Sequence, residues 1–175
     1  MTPSRTSWSI VSTMKTPIIK IISGGQTGVD RAALDWAIGA GITHGGWCPK
    51  GRLACDGTLH ERYMLKETES SGYRQRTKLN VADSDGTVIF NTGELDGGTL
   101  QTVKFAKSMK KPHIVMQLND RELLSSVQDF LFWISENQIH VLNVAGPREE
   151  KRPGIYLLVL QLLEQLNCLA CTDQR

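Results

Sequence analysis

A β-branched run that leads through a glycine-rich loop into an amphipathic helix constrains the fold more than any other part of the sequence. The run Ile18–Ile22 is suited to a buried strand. The loop Ser23–Gly28 follows, and its glycines cannot continue that strand. The next segment, Val29–Ile38, is predicted to be a helix, because its apolar side chains fall on one stripe at helical spacing. A strand, a tight turn and a helix in this order are typical of α/β structures.

The rest of the chain continues this alternation. Further strands are predicted over 87–90, 113–118 and 139–144, and further helices over 73–82, 99–109, Asp120–Ile134 and 155–166. Asp120 is the predicted N-cap of its helix. Because strands and helices alternate throughout, we predict an α/β, Rossmann-like fold with a mostly parallel sheet flanked by helices on both faces.

The length suits a single domain, which we place over residues 17–170. A chain of 175 residues can bury roughly 70% of its unfolded surface. Residues 1–16 are rich in Ser and Thr and contain no acid, so we expect a poorly ordered extension there. Residues 43–73 are punctuated by glycines and lack a clear period, so we expect a long irregular connection that could cover a ligand.

Charge and cysteine content restrict the function classes. Twenty Lys and Arg against 18 Asp and Glu give a net charge of +2, which argues against a nucleic-acid binder that relies on bulk charge. The longest apolar stretch, Ile155–Leu160, is too short to cross a bilayer, so no membrane partner is expected. Of the four cysteines, Cys168 and Cys171 have C-x-x-C spacing, but zinc would need two more ligands. With no visible signal peptide, we expect a cytoplasmic protein without a structural metal.

The first glycine-rich loop is the strongest candidate binding site. Gly24, Gly25 and Gly28 allow tight turns and close approach to a ligand, and Gln26 and Thr27 add side-chain hydrogen bonds. The loop precedes a helix N-terminus, where free amides and a partial positive charge favour an anion such as phosphate. It is neither a Walker A loop nor the dinucleotide fingerprint G-x-G-x-x-G. A strand–helix turn without a ligand is the alternative interpretation.

A second glycine-rich loop, 91–99, repeats the pattern. Gly97 and Gly98 precede a predicted helix that Thr99 could cap, and Thr102 lies one turn further on the same face. Because loops that follow parallel strands meet at one edge of the sheet, we expect this loop to face the first one. An ordinary capped turn is the alternative.

Basic residues provide further candidates. The third loop, 145–153, contains Arg148, which could bind an oxyanion with two parallel hydrogen bonds, together with Lys151 and Arg152. Lys50 and Arg52 add two cations in the irregular segment. A solvated charged surface is the alternative for both groups. Motifs for metal ligation or for an activated nucleophile are absent, so the sequence predicts binding of a phosphorylated molecule more clearly than catalysis.

Five motifs together resemble one known family. They are Ser23–Ala37, Gly45–Arg52, Asn80–Phe90, Gly97–Thr99 and Asn143–Arg148. The chain resembles the molybdenum carrier family, also called molybdenum cofactor carrier proteins, within the lysine-decarboxylase-like LOG/SLOG superfamily. The resemblance spans residues 18–166. It implies a Rossmann-like homotetramer that binds and protects molybdenum cofactor, a phosphorylated molybdopterin, without transforming it.

The resemblance also implies which residues bind. Carried over by motif, these are Gly24, Gly25, Gln26, Thr27, Arg31, Gly97, Gly98, Thr99, Thr102 and Arg148. Two positions depart from the pattern expected of relatives, namely Cys55 in place of an acid and Met64 in place of proline. Molybdoenzymes or cofactor-biosynthesis proteins are the partners that the resemblance suggests.

Three competing functions remain compatible with the sequence. Related phosphoribohydrolases, which cleave nucleoside monophosphates, carry a catalytic Glu after the second glycine loop, whereas Asp96–Thr102 contains no Glu. Losing a general acid or base would cost about 10²–10⁴ in rate, so we favour a non-catalytic carrier over a hydrolase. A nucleotide-sensing module is the second competing function, and a site for free molybdate or another oxyanion is the third.

Overall fold

The computed structural model of the protein describes residues 18–118 and 123–171. Its strands are β1 (Lys20–Ile22), β2 (Thr43–Gly45), β3 (Trp47–Cys48), β4 (Leu53–Ala54), β5 (Gly57–Thr58), β6 (Lys66–Glu67), β7 (Gly86–Asn91), β8 (His113–Gln117) and β9 (Val141–Ala145). Its helices are α1 (Val29–Gly39), α2 (Tyr73–Ala82), α3 (Gly97–Ser108), α4 (Leu123–Glu136) and α5 (Ile155–Cys171). The predicted extension over residues 1–16 and the predicted N-cap Asp120 lie outside the described residues.

Five strands form the central sheet in the order β2-β1-β9-β7-β8, and every neighbouring pair is parallel. The last strand in the chain, β9, therefore lies in the middle, between β1 and β7. Strand β7 is buried along its whole length, as expected of a parallel strand covered on both faces. The prediction of a Rossmann-like α/β fold is confirmed.

The helices cover the sheet in two groups. Helices α1, α4 and α5 pack with the strands in the main apolar cluster, which includes Trp36, Phe130 and Leu162. Helices α2 and α3 share a smaller cluster built on Val81 and Phe105. Within the described residues, no helix is long and apolar enough to cross a membrane.

The predicted irregular segment is more ordered than its sequence indicates. Residues 43–45 form the edge strand β2, and short strands pair as β3 with β6 and β4 with β5. The prediction of an irregular connection over 43–73 was therefore wrong in part. Helix α5 also continues to Cys171, beyond the predicted end at Leu166.

Candidate functional site

The three predicted loops meet at one cavity. Strands β1, β9 and β7 are neighbours, and each is followed by one of the loops 23–28, 145–153 and 91–99. Because the strands are parallel, their carboxyl ends share one edge of the sheet. A cavity of about 230 Å³ lies there and is lined by residues of all three loops.

The first loop contributes Gly24 and Gln26 to the cavity wall. The Gln26 side chain also holds the neighbouring segment, since its Nε2 donates to the Leu53 carbonyl and its Oε1 accepts from the Cys55 amide, both at 3.2 Å. Gln26 is buried, so these two bonds fix the orientation of its amide. Gln26 therefore lines the cavity and also holds the segment that contains Cys55, the hydrogen-bond partner of Arg148.

The other predicted residues of the first loop serve the protein itself. A Cβ at Gly28 would lie 2.6 Å from the Glu149 amide nitrogen and the Pro147 carbonyl oxygen, so the glycine admits the third loop. Gly25 similarly faces the hydrophobic side chains of a small neighbouring cluster. The Thr27 hydroxyl donates to Glu150 Oε2 at 2.7 Å. These three residues do not line the cavity, in contrast to the sequence-based interpretation.

The second loop leaves its helix terminus open. Helix α3 begins at Gly97, and its N-cap Asp96 makes no side-chain capping bond. Gly97, Gly98, Thr99 and Thr102 all line the cavity, as the sequence predicts of neighbours in one site. Thr99 is the third residue of the helix rather than its cap, and Thr102 donates to the Gly98 carbonyl at 2.9 Å. The main-chain amides of this first turn are therefore available to an oxygen atom in the cavity.

Two cations of the third loop reach the cavity. Arg148 lines it, and Arg148 Nη1 donates to Cys55 Sγ at 2.7 Å, a bond that raises the pKa of the arginine. Lys151 also lines it, and its Nζ lies 2.5 Å from Asp96 Oδ1. The bond to Lys151 lowers the pKa of Asp96. The cation of Lys151 thus stands beside the N-terminus of α3.

The acids and the remaining cation of the third loop are held by the protein. Glu149 accepts from the amides of Gly154 and Tyr156, at 2.5 and 2.9 Å, and so caps the N-terminus of α5. Arg152 donates to the carbonyls of Thr92 and Glu94, which ties the third loop to the second. Arg152 therefore holds two loops together and is not part of the cavity wall.

Three predicted binding residues lie elsewhere in the structure. Arg31 donates to the Gly25 carbonyl and to Asp56, whose pKa it lowers. Arg52 donates to four carbonyls of the segment 59–65 and holds that segment together. Lys50 is exposed and is not part of the cavity wall. None of these three side chains is part of the cavity wall, although the sequence predicted that all three bind the ligand.

Helix α2 supplies a wall of the cavity that was not predicted from the sequence. Tyr73, Arg76, Thr77 and Asn80 line the cavity and follow the i, i+3, i+4, i+7 spacing of one helix face. The Asn80 amide holds the backbone of Trp47 through two bonds, at 2.7 and 3.1 Å, and so ties α2 to β3. The sequence signal for this wall was the stripe of polar residues at helical spacing in α2, which no other prediction had explained.

A buried ion pair crosses the cavity wall. Asp30 Oδ2 accepts from Arg76 Nη1 at 2.8 Å and from the Gln26 amide at 3.3 Å. The side chains of Asp30 and Arg76 are 4% and 15% exposed, respectively, so this pair is shielded from solvent. The adjacent Arg31 pairs with Asp56 instead. Asp30 thus connects the first loop to α2.

Among the described residues that line the cavity, Arg76, Arg148 and Lys151 carry positive charge and Asp30 carries negative charge. The excess of cations, together with the terminus of α3, favours an anionic ligand. Within the described part of the chain, no group of three or more His, Cys, Asp or Glu side chains is placed to hold a metal ion. The wall is therefore suited to the oxygen atoms of a bound molecule.

Comparisons with known proteins agree with this architecture. The model of the circularly permutated YpsA SLOG family matches residues 21–167. A solved structure from Syntrophus aciditrophicus SB, named “Putative molybdenum carrier protein”, is 48% identical, with a TM-score of 0.84. The match covers 86% of this chain and 96% of that one. No curated protein matches the sequence. The chain belongs to the circularly permutated YpsA SLOG family.

Proposed function

We propose that this protein binds, stores and protects molybdenum cofactor without transforming it. The observation that carries the proposal is the convergence of an uncapped helix terminus with three cationic side chains at one cavity. A terminal phosphate or an oxo group presents the oxygen atoms that such a wall stabilises. The neighbour from Syntrophus aciditrophicus SB, whose name refers to molybdenum, supports this choice of ligand.

The phosphate is proposed to bind at the N-terminus of α3. The first turn, Gly97 to Thr99, presents main-chain amides to the cavity, and a Cβ at Gly98 would meet nothing within 4 Å. A Cβ at Gly97 would lie 3.3 Å from Lys151 Nζ, so this cation stands at the terminus, and Arg148 lines the same cavity. Because phosphate carries nearly two negative charges at neutral pH, it gains from several cations at once.

The size of the cavity supports partial enclosure of the ligand. Sites for whole ligands commonly measure about 300–1,000 Å³, and this cavity measures about 230 Å³. It is therefore suited to the anionic end of a larger molecule, with the rest of the molecule lying across its mouth. Molybdate or another free oxyanion would also fit, which makes such ions useful probes.

The wall contains little that supports hydrolysis. A general acid or base must reach the reacting atoms while exchanging a proton. Asp30 is the carboxylate among the described lining residues, and both of its hydrogen bonds hold it to Arg76 and the first loop. The segment Asp96–Thr102 offers no Glu. A carrier is therefore preferred over a nucleoside-monophosphate hydrolase.

The proposed setting is a cytoplasmic homotetramer that exchanges cofactor with molybdoenzymes or cofactor-biosynthesis proteins. Cys48 and Cys55 are free thiols, which suits a reducing compartment. Exposed Leu157 on α5 and Phe132 on α4 offer apolar surface for subunit contacts. Sedimentation of the purified protein would measure the assembly directly.

The decisive experiment is native mass spectrometry of protein purified anaerobically, with molybdenum and phosphorus measured on the same sample. Wild type should carry both elements in equal amounts. Arg148→Glu should retain more than tenfold less, because it places a negative charge on the wall. Lys50→Glu is the matched control, since it reverses an exposed charge outside the cavity wall and should retain cofactor normally.

Three outcomes would contradict the proposal. Equal retention by Arg148→Glu and wild type would remove this wall from the binding site. Release of base from AMP by wild type, abolished in Asp30→Asn, would favour the hydrolase instead. Tight nucleotide binding without turnover and without cofactor would favour the sensor.

A further inference from the structure

Arg76 is less exposed than the other two cations of the cavity wall, Arg148 and Lys151. It extends from α2 across the first loop, where its Nη1 donates to Asp30 Oδ2 at 2.8 Å. A Cβ at Gly24 would lie 1.4 Å from Arg76 Nη1, so position 24 must be glycine for the guanidinium to lie where it does. The loop therefore makes room for this arginine.

One edge of this guanidinium is unused. An arginine presents Nε and Nη2 side by side, and this edge can bind two oxygens of a carboxylate or phosphate. In Arg31 and Arg152 the same edge is occupied by backbone carbonyls. In Arg76 the Nε is buried without an acceptor among the described residues, and the hydrogen bond to Asp30 uses Nη1 alone.

A buried donor without an acceptor calls for an explanation, because nearly all buried polar groups in native proteins are paired. The guanidinium lines the cavity, and its only ion-pair partner in the described structure is Asp30. The ion pair with Asp30 fixes the direction of the guanidinium and leaves its Nε and Nη2 donors without a hydrogen-bond partner among the described residues. Because Asp30 holds the guanidinium, few side-chain rotamers are lost when a ligand binds.

We propose that the Nε–Nη2 edge of Arg76 binds two oxygens of an oxyanion carried by the ligand, and that Asp30 is the positioning residue that holds this edge in place. The assignment rests on the proposed function, because it concerns the same cavity. It adds a second anion-binding group on α2, apart from the terminus of α3. The preferred ligand class is accordingly one that carries an oxyanion within reach of Arg76.

The test uses the full chain, with inorganic phosphate and molybdate as probes in titration calorimetry at low ionic strength. Arg76→Lys keeps the positive charge but removes the two-donor edge, and it should weaken binding of the probes at least tenfold. Arg74→Lys is the matched control on the same helix, because Arg74 is exposed and lies over the Phe105 ring, outside the cavity wall. The control should bind within twofold of wild type.

A second measurement does not depend on the variant folding well. In ¹⁵N-arginine-labelled wild type, the Nε–H resonance that is absent in Arg76→Lys should shift on saturation with phosphate. The assignment is overturned if Arg76→Lys binds within twofold of wild type, or if this resonance stays in place while wild type binds phosphate.

The two proposals can fail separately. Arg76-dependent phosphate binding by a protein that never carries molybdenum would support the oxyanion assignment and contradict the cofactor proposal. Normal cofactor retention by Arg76→Lys would leave the carrier proposal intact and overturn the role of Arg76. Wild type that binds neither probe would overturn the oxyanion assignment, while its cofactor content is judged by the metal analysis.

Discussion

The two glycine-rich loops look alike in the sequence and differ in the structure. Gly24 and Gly28 of the first loop stand against protein atoms, namely the Arg76 guanidinium and the backbone of the third loop. A Cβ added at Gly98 of the second loop would meet nothing within 4 Å, and a Cβ added at Gly97 would lie 3.3 Å from Lys151 Nζ. A glycine before a helix can therefore admit a ligand or admit another part of the chain.

The two loops accordingly have different roles. Both α2 and the third loop pack against the first loop, which holds them in place around the cavity. The second loop is open and presents the amides of α3. A ligand bound at the second loop, as proposed above, would leave the packing of the first loop unchanged.

The largest effect is expected for Gly28→Ala. The new Cβ would lie 2.6 Å from two backbone atoms of the third loop, and the residue has φ of +77°. The free energy of unfolding should fall by roughly 2–4 kcal/mol, because backbone strain and a backbone clash add. Urea denaturation measures this free energy. A decrease smaller than the error of the method would show that the first and third loops do not pack tightly at Gly28.

Gly98→Ala should have the opposite sign. Gly98 lies in the first turn of α3, outside the left-handed region, with open space at its Cβ. Alanine favours helix, so the free energy of unfolding should rise by up to about 1 kcal/mol. Phosphate affinity, measured by calorimetry, should fall severalfold because the methyl group narrows the open terminus. A loss of stability instead would contradict the distinction between the two loops.

The smallest effect is expected for the ion pair between Lys151 of the third loop and Asp96 of the second loop. Lys151 lowers the pKa of Asp96, so the pair contributes stability above the ordinary pKa of about 4 and loses it as pH falls through the lowered value. The Asp96 carboxyl, followed by ¹³C NMR, should titrate at higher pH in Lys151→Ala than in wild type. Asp96→Asn identifies the resonance, and identical titration in wild type and Lys151→Ala would contradict the pairing.

Patterning predicted most of the framework because its elements carry strong local signals. The β-branched residues of β7 and the apolar stripe of α1 each indicate one structure. Strand β2 escaped prediction because Thr43–Gly45 has neither alternation nor β-branched enrichment beyond one residue. Its place at the sheet edge comes from pairing with β1, a long-range contact that no local window contains.

The sequence predicted which loops form the cavity, but it did not separate the basic side chains that line it from those that lie elsewhere. Position after parallel strands indicated where the cavity lies, and Arg148 follows from the third loop. Arg52 and Arg76 could not be told apart in sequence, since both are basic residues in polar segments. Their roles follow from tertiary partners, which are carbonyls of 59–65 for Arg52 and Asp30 for Arg76.

The central position of β9 has a consequence for synthesis of the protein. Strands β1 and β7 emerge from the ribosome well before β9 and remain separated by a gap that only Val141–Ala145 fills. Nascent chains therefore lack a complete cavity wall until β9 and the loop that follows it have been synthesised.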